Sequence, residues 1–494
     1  MTTMKQRQGV LVDPVTRYSE KQIGLIDAAS RQLLEDPGVL ATHPDVLEVF
    51  RNAGATLEDA GDYTRIRIPA KVIDQVLDSA PSSIVLGARD PNNRLVLDAH
   101  EPRVRFGSGS ETNTWLRVDF DEDGFPEFAR EEGSVARLRE AAHLCEHLEH
   151  CDFFIRCVNI QDAEVNDGNK DVNKFLASLN NITKHVQAGL TSLSALDDVV
   201  RIGQIVAGGE EAFTQSPPLS FIACVIKSPL EFVPDTAEKV MAISKRRVPL
   251  VISSCPLGGT TGPFEETAMV AQINAELLAG VALNQLVAPG APVLYGSVPV
   301  RSRLDTLDDM YGAPEFNQYN MGCAQMARHY GLPCYSTAGV ADVDTPGIQA
   351  TFEKLLTLSA VPASGPQYVH YAFGLLERTA TFCPEQAVMD DAHIGVLKRS
   401  LRPAAIDERL QEKAVAMVRE VMDAPGRTYM YHLPMPSRED VYVRYPLHAK
   451  QGGALFAAHK KYREIMERPR VTLSDAKKDE LRANVPGILP QTLS

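Results

Sequence analysis

The chain has 494 residues, 44% hydrophobic and 23% charged, with a formal net charge of −14; that composition suits one large core with additions, or two to three domains. The acidic balance excludes nucleic acid and anionic membrane as main partners, because both select basic surfaces. The opening MTTMKQRQGVLVDP lacks the apolar core of a signal peptide, and apolar runs break before the roughly 18 residues of a membrane span, so a cytoplasmic protein is expected.

Residues 1–100 read as an N-terminal α/β extension. YSEKQIGLIDAASRQLLED, HPDVLEVFRNAG and PAKVIDQVLDSA have helical spacing. SSIVLGARD and NRLVLDAH flank an Asp-Pro-Asn-Asn turn and predict a hairpin. Over residues 101–400 a different rhythm sets in: a short apolar strand, a small-residue loop, then an amphipathic helix, repeated eight times. The predicted strands are VRFGSG, CDFFIRCVNI, HVQAGL, LSFIACVI, PLVISSC, PVLYGSV, LPCYST and QYVHYAF. Predicted helices begin near Gly133, Asp171, Ala195, Pro234, Phe264, Ala313, Pro346 and Pro384, several on a Pro or an acid as helix N-termini prefer. Apolar strands alternating with helices predict a parallel sheet covered on both faces. Eight units, with no G-x-G-x-x-G after the first strand, favour a (β/α)8 TIM barrel over an open sheet. Residues 401–494 predict a C-terminal helical extension, including Ala404 to Met422 and GALFAAHKKYREIMERP. The last ten residues, VPGILPQTLS, read as a packing or interface arm, and a homo-oligomer is the expected state.

Eight scattered cysteines without a C-x-x-C pair predict reduced thiols; Cys224, Cys255 and Cys334 read as small core residues. His143, His147 and His150 share one predicted helical face, a spacing that admits a metal but equally a packed helix. No metal is expected. The GGTTG turn (Gly258, Gly259, Gly262) precedes a helix N-terminus but lacks a Walker lysine, which leaves an anion or a large flat partner as its reading.

A barrel places its chemistry at the C-terminal ends of the strands. Those ends supply Phe106, Ser108, Ser110 and Glu111, with Trp115 shortly after. Further round come Asn159 and Gln161, then Ser253, Ser254 and Cys255, then Tyr295 and Ser297. The last two strands add Tyr335, Ser336, Thr337 and Asp342, and His370, Tyr371 and Phe373. No Ser-His-Asp spacing, strand-end lysine or H-x-H pair stands among them. Aromatics, hydroxyls and a few carboxylates remain, the equipment for holding a quaternary ammonium.

GGTTGPFEETAMVAQINAELLAGVALNQLVAPGAPVLYG, the GAPE tetrad at 312–315 and GLPCYSTAGVADVDTPGIQATFEK resemble the trimethylamine methyltransferase family over about residues 15–400. The resemblance implies a barrel enzyme that passes a methyl group from an amine to Co(I) of a separate, cognate corrinoid protein. The cobalamin acceptor then belongs to that partner, and the chain itself holds no tightly bound cofactor. Founding members carry pyrrolysine, whose region corresponds to STAGVAD at 336–342; here every residue is standard. Relatives without pyrrolysine are similar to quaternary-amine demethylases, so glycine betaine is the expected substrate and dimethylglycine the product. Proline betaine, carnitine and γ-butyrobetaine are alternatives, as are a zinc-dependent corrinoid methyltransferase and a non-catalytic betaine-binding barrel. On this reading Tyr335, Phe106, Trp115 and Tyr295 face the ammonium, and Glu111 or Asp342 supplies the field. His370, Gln349 and Ser336 receive a substrate carboxylate.

Overall fold

The computed structural model describes residues 6–424, 426, 427, 429 and 453–494, so the first five residues and most of 425–452 of the C-terminal extension lie outside the described residues. Eight parallel strands follow in chain order: β1 (Arg103–Phe106), β2 (Phe154–Ile155), β3 (Val186–Gly189), β4 (Leu219–Ala223), β5 (Leu250–Ser254), β6 (Val293–Ser297), β7 (Cys334–Thr337) and β8 (Tyr368–His370). Each leads into a helix: α1 (Val135–His147), α2 (Lys170–Leu179), α3 (Leu196–Ala207), α4 (Pro234–Lys245), α5 (Glu266–Val287), α6 (Pro314–His329), α7 (Ile348–Ala360) and α8 (Pro384–Ser400). Proline opens α4, α6 and α8, where its missing N–H has no partner to lose.

The strands form one curled sheet in which sequential neighbours pair from β2 through β8 and β8 pairs with β1. A ninth, antiparallel strand, Val10–Leu11, takes the outer edge of β1 at Arg103 and Val104. It leaves only the upper end of β1 free, where Gly107 makes a parallel bridge to Phe153 beside β2. Asp152 N–H donates to the Phe106 carbonyl there at 2.6 Å. A mainly parallel sheet so curled, with a helix after every strand, is consistent with a TIM-barrel-like fold.

The N-terminal segment shapes this sheet at two places. Helices Glu20–Glu35, Pro44–Asn52 and Ala70–Ser79 pack on α5, whose other sides meet α4, α6, β5 and β6. Every residue from Met269 to Gln285 is therefore buried, which is why that helix is apolar all round and shows no polar stripe. Among the described residues it is the one helix long and apolar enough to cross a membrane, yet 89% of its apolar window is buried inside the protein. Second, the hairpin Ser83–Leu86 with Leu95–Asp98 inserts Ile84, Leu86, Leu95 and Leu97 beneath Val251 and Leu294, plugging the N-terminal end of the sheet. Gly87 N–H donates to the Pro217 carbonyl at 2.8 Å just before β4. A Cβ on Gly87 would stand 2.1 Å from the Ser216 carbonyl oxygen, a backbone atom that cannot swing aside. Gly87→Ala is expected to lower unfolding free energy by about 1–3 kcal/mol, the range for overpacking; urea denaturation measures it.

A four-stranded sheet beside the C-terminal ends joins the loops after β1 and β8, in the order Leu375–Leu376, Thr381–Phe382, Thr114–Phe120, Pro126–Glu132. The apolar rhythm did not announce it, because its long hairpin is mostly exposed on the outer strand. Helix Leu410–Asp423 follows α8, and Gly453–Met466 packs on α8 and α1. The final arm docks on its own chain: Asn173 of α2 accepts from Leu489 N–H at 2.9 Å and from the Thr492 hydroxyl at 2.7 Å.

Candidate active site

The C-terminal ends of the strands surround a cavity of about 680 Å³, lined by Ser110, Glu111, Ile155, Arg156, Ala188, Gly189, Ile222, Tyr335 and Tyr371, with Arg130, Glu377 and Thr379 at its rim. Ser110 Oγ donates to the Thr379 carbonyl at 3.0 Å, tying the loop after β1 to the loop after β8. Arg130 holds Glu377 at 2.7 Å and keeps that carboxyl below the usual carboxylate range.

Inside the sheet an aromatic column rises toward this cavity. Phe153 stacks on Tyr368 at 3.6 Å between centroids, Tyr335 stacks on His370 at 4.1 Å, and Tyr371 tilts against His370 at 3.8 Å. Tyr371 has φ 67°, an unfavourable region for a bulky side chain. That backbone turn brings its ring back beside His370 when simple strand alternation would send it outward. Gly109 makes room: a Cβ there would lie 2.4 Å from the Tyr371 ring.

His370 is buried, with Nδ1 2.8 Å from the Ser336 carbonyl and no partner for Nε2 among the described residues. Burial pushes its pKa down to about 3, so the ring is neutral at physiological pH, with a proton on Nδ1. Because the unfolded imidazole titrates near 6.5, its contribution to stability is complete above that pH and is lost as pH falls toward 3. Lowering pH from 7 to 5 is therefore expected to cost roughly 2 kcal/mol through His370. His370→Phe should show a correspondingly shallower loss in denaturation across that range.

Other residues expected at the site fall elsewhere. Phe106, Tyr295 and Ser336 are strand-end residues on the outward face. Lys398 of α8 lies over the Phe106 ring at 5.4 Å, the Tyr295 hydroxyl donates to Asn274 of α5 at 2.9 Å, and Ser336 Oγ bonds Asn320 of α6 at 3.2 Å. Trp115 belongs to the side sheet, buried against Phe382 at 5.5 Å and under Arg137 at 5.0 Å. Asp342 accepts from Tyr311 and Gly312 N–H at 2.8 and 3.0 Å, anchoring the GAPE loop; burial raises its pKa to about 6. Gln349 is exposed at the start of α7 and donates to Glu353 at 2.8 Å. Of the residues given a substrate-binding role from the sequence, Glu111 and Tyr335 line the cavity, joined by the strand-end residues Ser110 and Tyr371, and His370 stands directly behind Tyr335.

The turn at 336–342 is closed in on itself. Gly339, at φ 97°, donates to Thr357 Oγ1 at 2.9 Å, and its carbonyl accepts from buried Lys354. Lys354 also donates to the Leu375 carbonyl at 3.0 Å and pairs with Asp390 at 3.1 Å. One buried ammonium thus joins the loops after β7 and β8.

Arg156 is the residue the strand-end rule missed. The β2 ladder stops at Ile155, so the wall residue is Arg156, not Asn159 or Gln161. The available signal was an arginine inside the apolar run DFFIRCVNI, since arginine is almost never fully buried without a role.

The remaining sequence motifs are absorbed structurally. His143 and His147 meet edge to face at 4.8 Å under the C-terminal helix, whereas His150 follows the end of α1 and lies against Gly395. The N-terminus of α5 is capped by its own Glu265, which accepts from Thr267 and Ala268 N–H at 3.0 and 2.7 Å. Cys334 is buried as expected, but Cys224 and Cys255, just past the ends of β4 and β5, are exposed.

Comparison with known proteins bears on this geometry. Residues 3–431 match the family model described as trimethylamine methyltransferase (MTTB). The trimethylamine methyltransferase MttB of Desulfitobacterium hafniense (strain DSM 10664 / DCB-2) is 27% identical over 82% of this chain and 78% of its own. The glycine betaine methyltransferase of Desulfitobacterium hafniense (strain Y51) is 26% identical over 81% and 80%. Trimethylamine methyltransferase MttB of Methanosarcina barkeri is 27% identical over 79% and 77%. A curled parallel sheet, a cavity at its C-terminal ends and a match across most of the chain lead to one conclusion: the chain belongs to the trimethylamine methyltransferase family, whose members carry out corrinoid-dependent methyl transfer.

Proposed function

We propose that this protein is a (β/α)8-barrel methyltransferase that takes a methyl group from a quaternary amine, glycine betaine foremost, and delivers it to the Co(I) corrinoid of a cognate partner protein. The observation that carries this reading is the cavity wall of Tyr335 and Tyr371, backed by a buried, neutral His370. Aromatic faces attract a cation that has shed its water, by about 2 kcal/mol when desolvated. A neutral, buried imidazole offers no proton to a leaving amine.

A quaternary substrate needs none. The incoming electron pair forms the new bond to the methyl carbon while the C–N pair stays on nitrogen, so the amine departs neutral and no proton moves. The chain's task is to hold one N-methyl toward the cavity opening and to exclude water, which is catalysis by position. Tyr335 and Tyr371 bear on the ammonium, and Arg130 of the side sheet with Glu377 and Thr379 of the turn beside it frame the opening that the partner covers. A tertiary amine would leave as an anion unless protonated, and burial pushes the Tyr335 and Tyr371 phenols up, which makes this wall a poor source of that proton. The relative named for glycine betaine supports the same substrate. The reading places the enzyme in the cytoplasm and includes a homo-oligomer, which sedimentation velocity tests.

Reduced cobalamin mixed with the purified protein and either glycine betaine or trimethylamine distinguishes the cases. Methylcobalamin should accumulate, by its absorbance, with glycine betaine and not with trimethylamine; the opposite pattern overturns the reading.

A further inference from the structure

The cavity wall also carries charge, and part of it is balanced only from a half-exposed loop. Arg156 is 1% exposed on its side chain and lines the cavity. Nη1 reaches Asn159 Oδ1 at 3.4 Å, and Nε has no partner among the described residues. Nη2, which likewise makes no hydrogen bond among the described residues, is ion-paired with Glu111, whose side chain is 53% exposed on the loop after β1. Behind the wall, Asp171 is the anion acting on Arg156, but it is already committed: it pairs with buried Lys174 and accepts from Thr191 and Ser192 N–H. Asp171 therefore serves Lys174 first, whose pKa burial pushes down to about 7, and acts on Arg156 only from behind. Burying a guanidinium costs several kcal/mol unless its donors are met, and planar carboxylates meet them two at a time. The second carboxylate is supplied by a side chain half in solvent, next to a residue, Ser110, held at φ 75°.

We infer that Arg156 is the seat for the carboxylate of a zwitterionic substrate, and that Glu111 is its resident occupant, displaced when that carboxylate arrives. This rests on the quaternary-amine reading and narrows it to betaines. The tyrosine wall takes the ammonium and Arg156 the acid, so the substrate is oriented from both ends. Glu111 keeps the buried guanidinium paired while the cavity is empty. A substrate carboxylate releases Glu111 to solvent, where its hydration offsets the lost ion pair. Amines without a carboxylate leave Glu111 in place.

Calorimetric titration with two probes, glycine betaine and tetramethylammonium, tests this on the full chain. Arg156→Met should weaken glycine betaine about 100-fold and change tetramethylammonium less than about twofold. Glu111→Gln, at a half-exposed loop position, should tighten glycine betaine about threefold or more because the competing occupant is gone, again with tetramethylammonium unmoved. Equal weakening of both probes by Arg156→Met would make the arginine merely structural and overturn the inference. Unchanged or weaker betaine binding in Glu111→Gln would overturn the displacement. Wild-type protein that binds betaine in this pattern but yields no methylcobalamin would sink the methyltransferase reading and leave the carboxylate seat standing. Wild-type protein that binds neither probe overturns both.

Discussion

Replacing Lys354 with methionine is expected to lower unfolding free energy by about 3–5 kcal/mol, the largest effect of any single change proposed for this fold. Lys354 and Asp390 are both fully buried, 3.1 Å apart. Methionine fills much of the lysine's volume, so lost packing contributes little. The loss comes from Asp390, left in the interior without its ammonium partner and with Gly374 N–H at 2.8 Å, Gln386 at 2.9 Å and the His393 ring at 3.9 Å around it. The Gly339 carbonyl loses its Lys354 donor as well, and the Leu375 carbonyl keeps only the longer bond from Ala341 N–H at 3.4 Å. Urea denaturation gives the magnitude. A double variant, Lys354→Met with Asp390→Leu, should recover part of the loss, because removing both partners leaves no buried charge. If the single change were nearly neutral, the ammonium would not be what joins the loops after β7 and β8.

Tyr335→Ala is expected to reduce kcat/KM for glycine betaine by about 30- to 100-fold, or roughly 2–3 kcal/mol, combining the lost cation–aromatic attraction with a less ordered His370. Tyr335 stacks on both His370 and Tyr368, at 4.1 and 5.7 Å, so its loss opens the middle of the aromatic column. Tyr335→Phe separates ring from hydroxyl. It should stay within about threefold of the wild type, since the ring face supplies the attraction. A Phe variant as impaired as the Ala variant would transfer the role from the ring to the phenol oxygen.

Much of the strand–helix alternation was legible in the residues. LPCYST marked β7, and Pro234 and Pro384 opened α4 and α8, because apolar runs and N-terminal prolines are local signals of local structure. The site was legible only to its neighbourhood. The C-terminal ends of the strands were the right place, yet Phe106, Tyr295 and Ser336 turned outward while Tyr335 turned in. Strand residues alternate faces, and a one-residue shift in register exchanges them; a short apolar strand buried on both sides carries no polar alternation to reveal which face is which.

Family membership, eight strand–helix units and the ordinary residues of the turn after β7 were thus contained in the sequence, as properties of contiguous stretches. Tertiary structure alone decided three other matters. Trp115 went to a side sheet because its cross-strand partner Phe382 comes from the loop after β8, far away in the sequence. Tyr371 faced the cavity because a left-handed backbone turn overrode strand alternation. Arg156 became a wall residue because β2 is cut short at Ile155 and because Asp171 was already claimed by Lys174. Each is set by contacts between segments distant in sequence, and such contacts exist only once the sheet has curled and its loops have met.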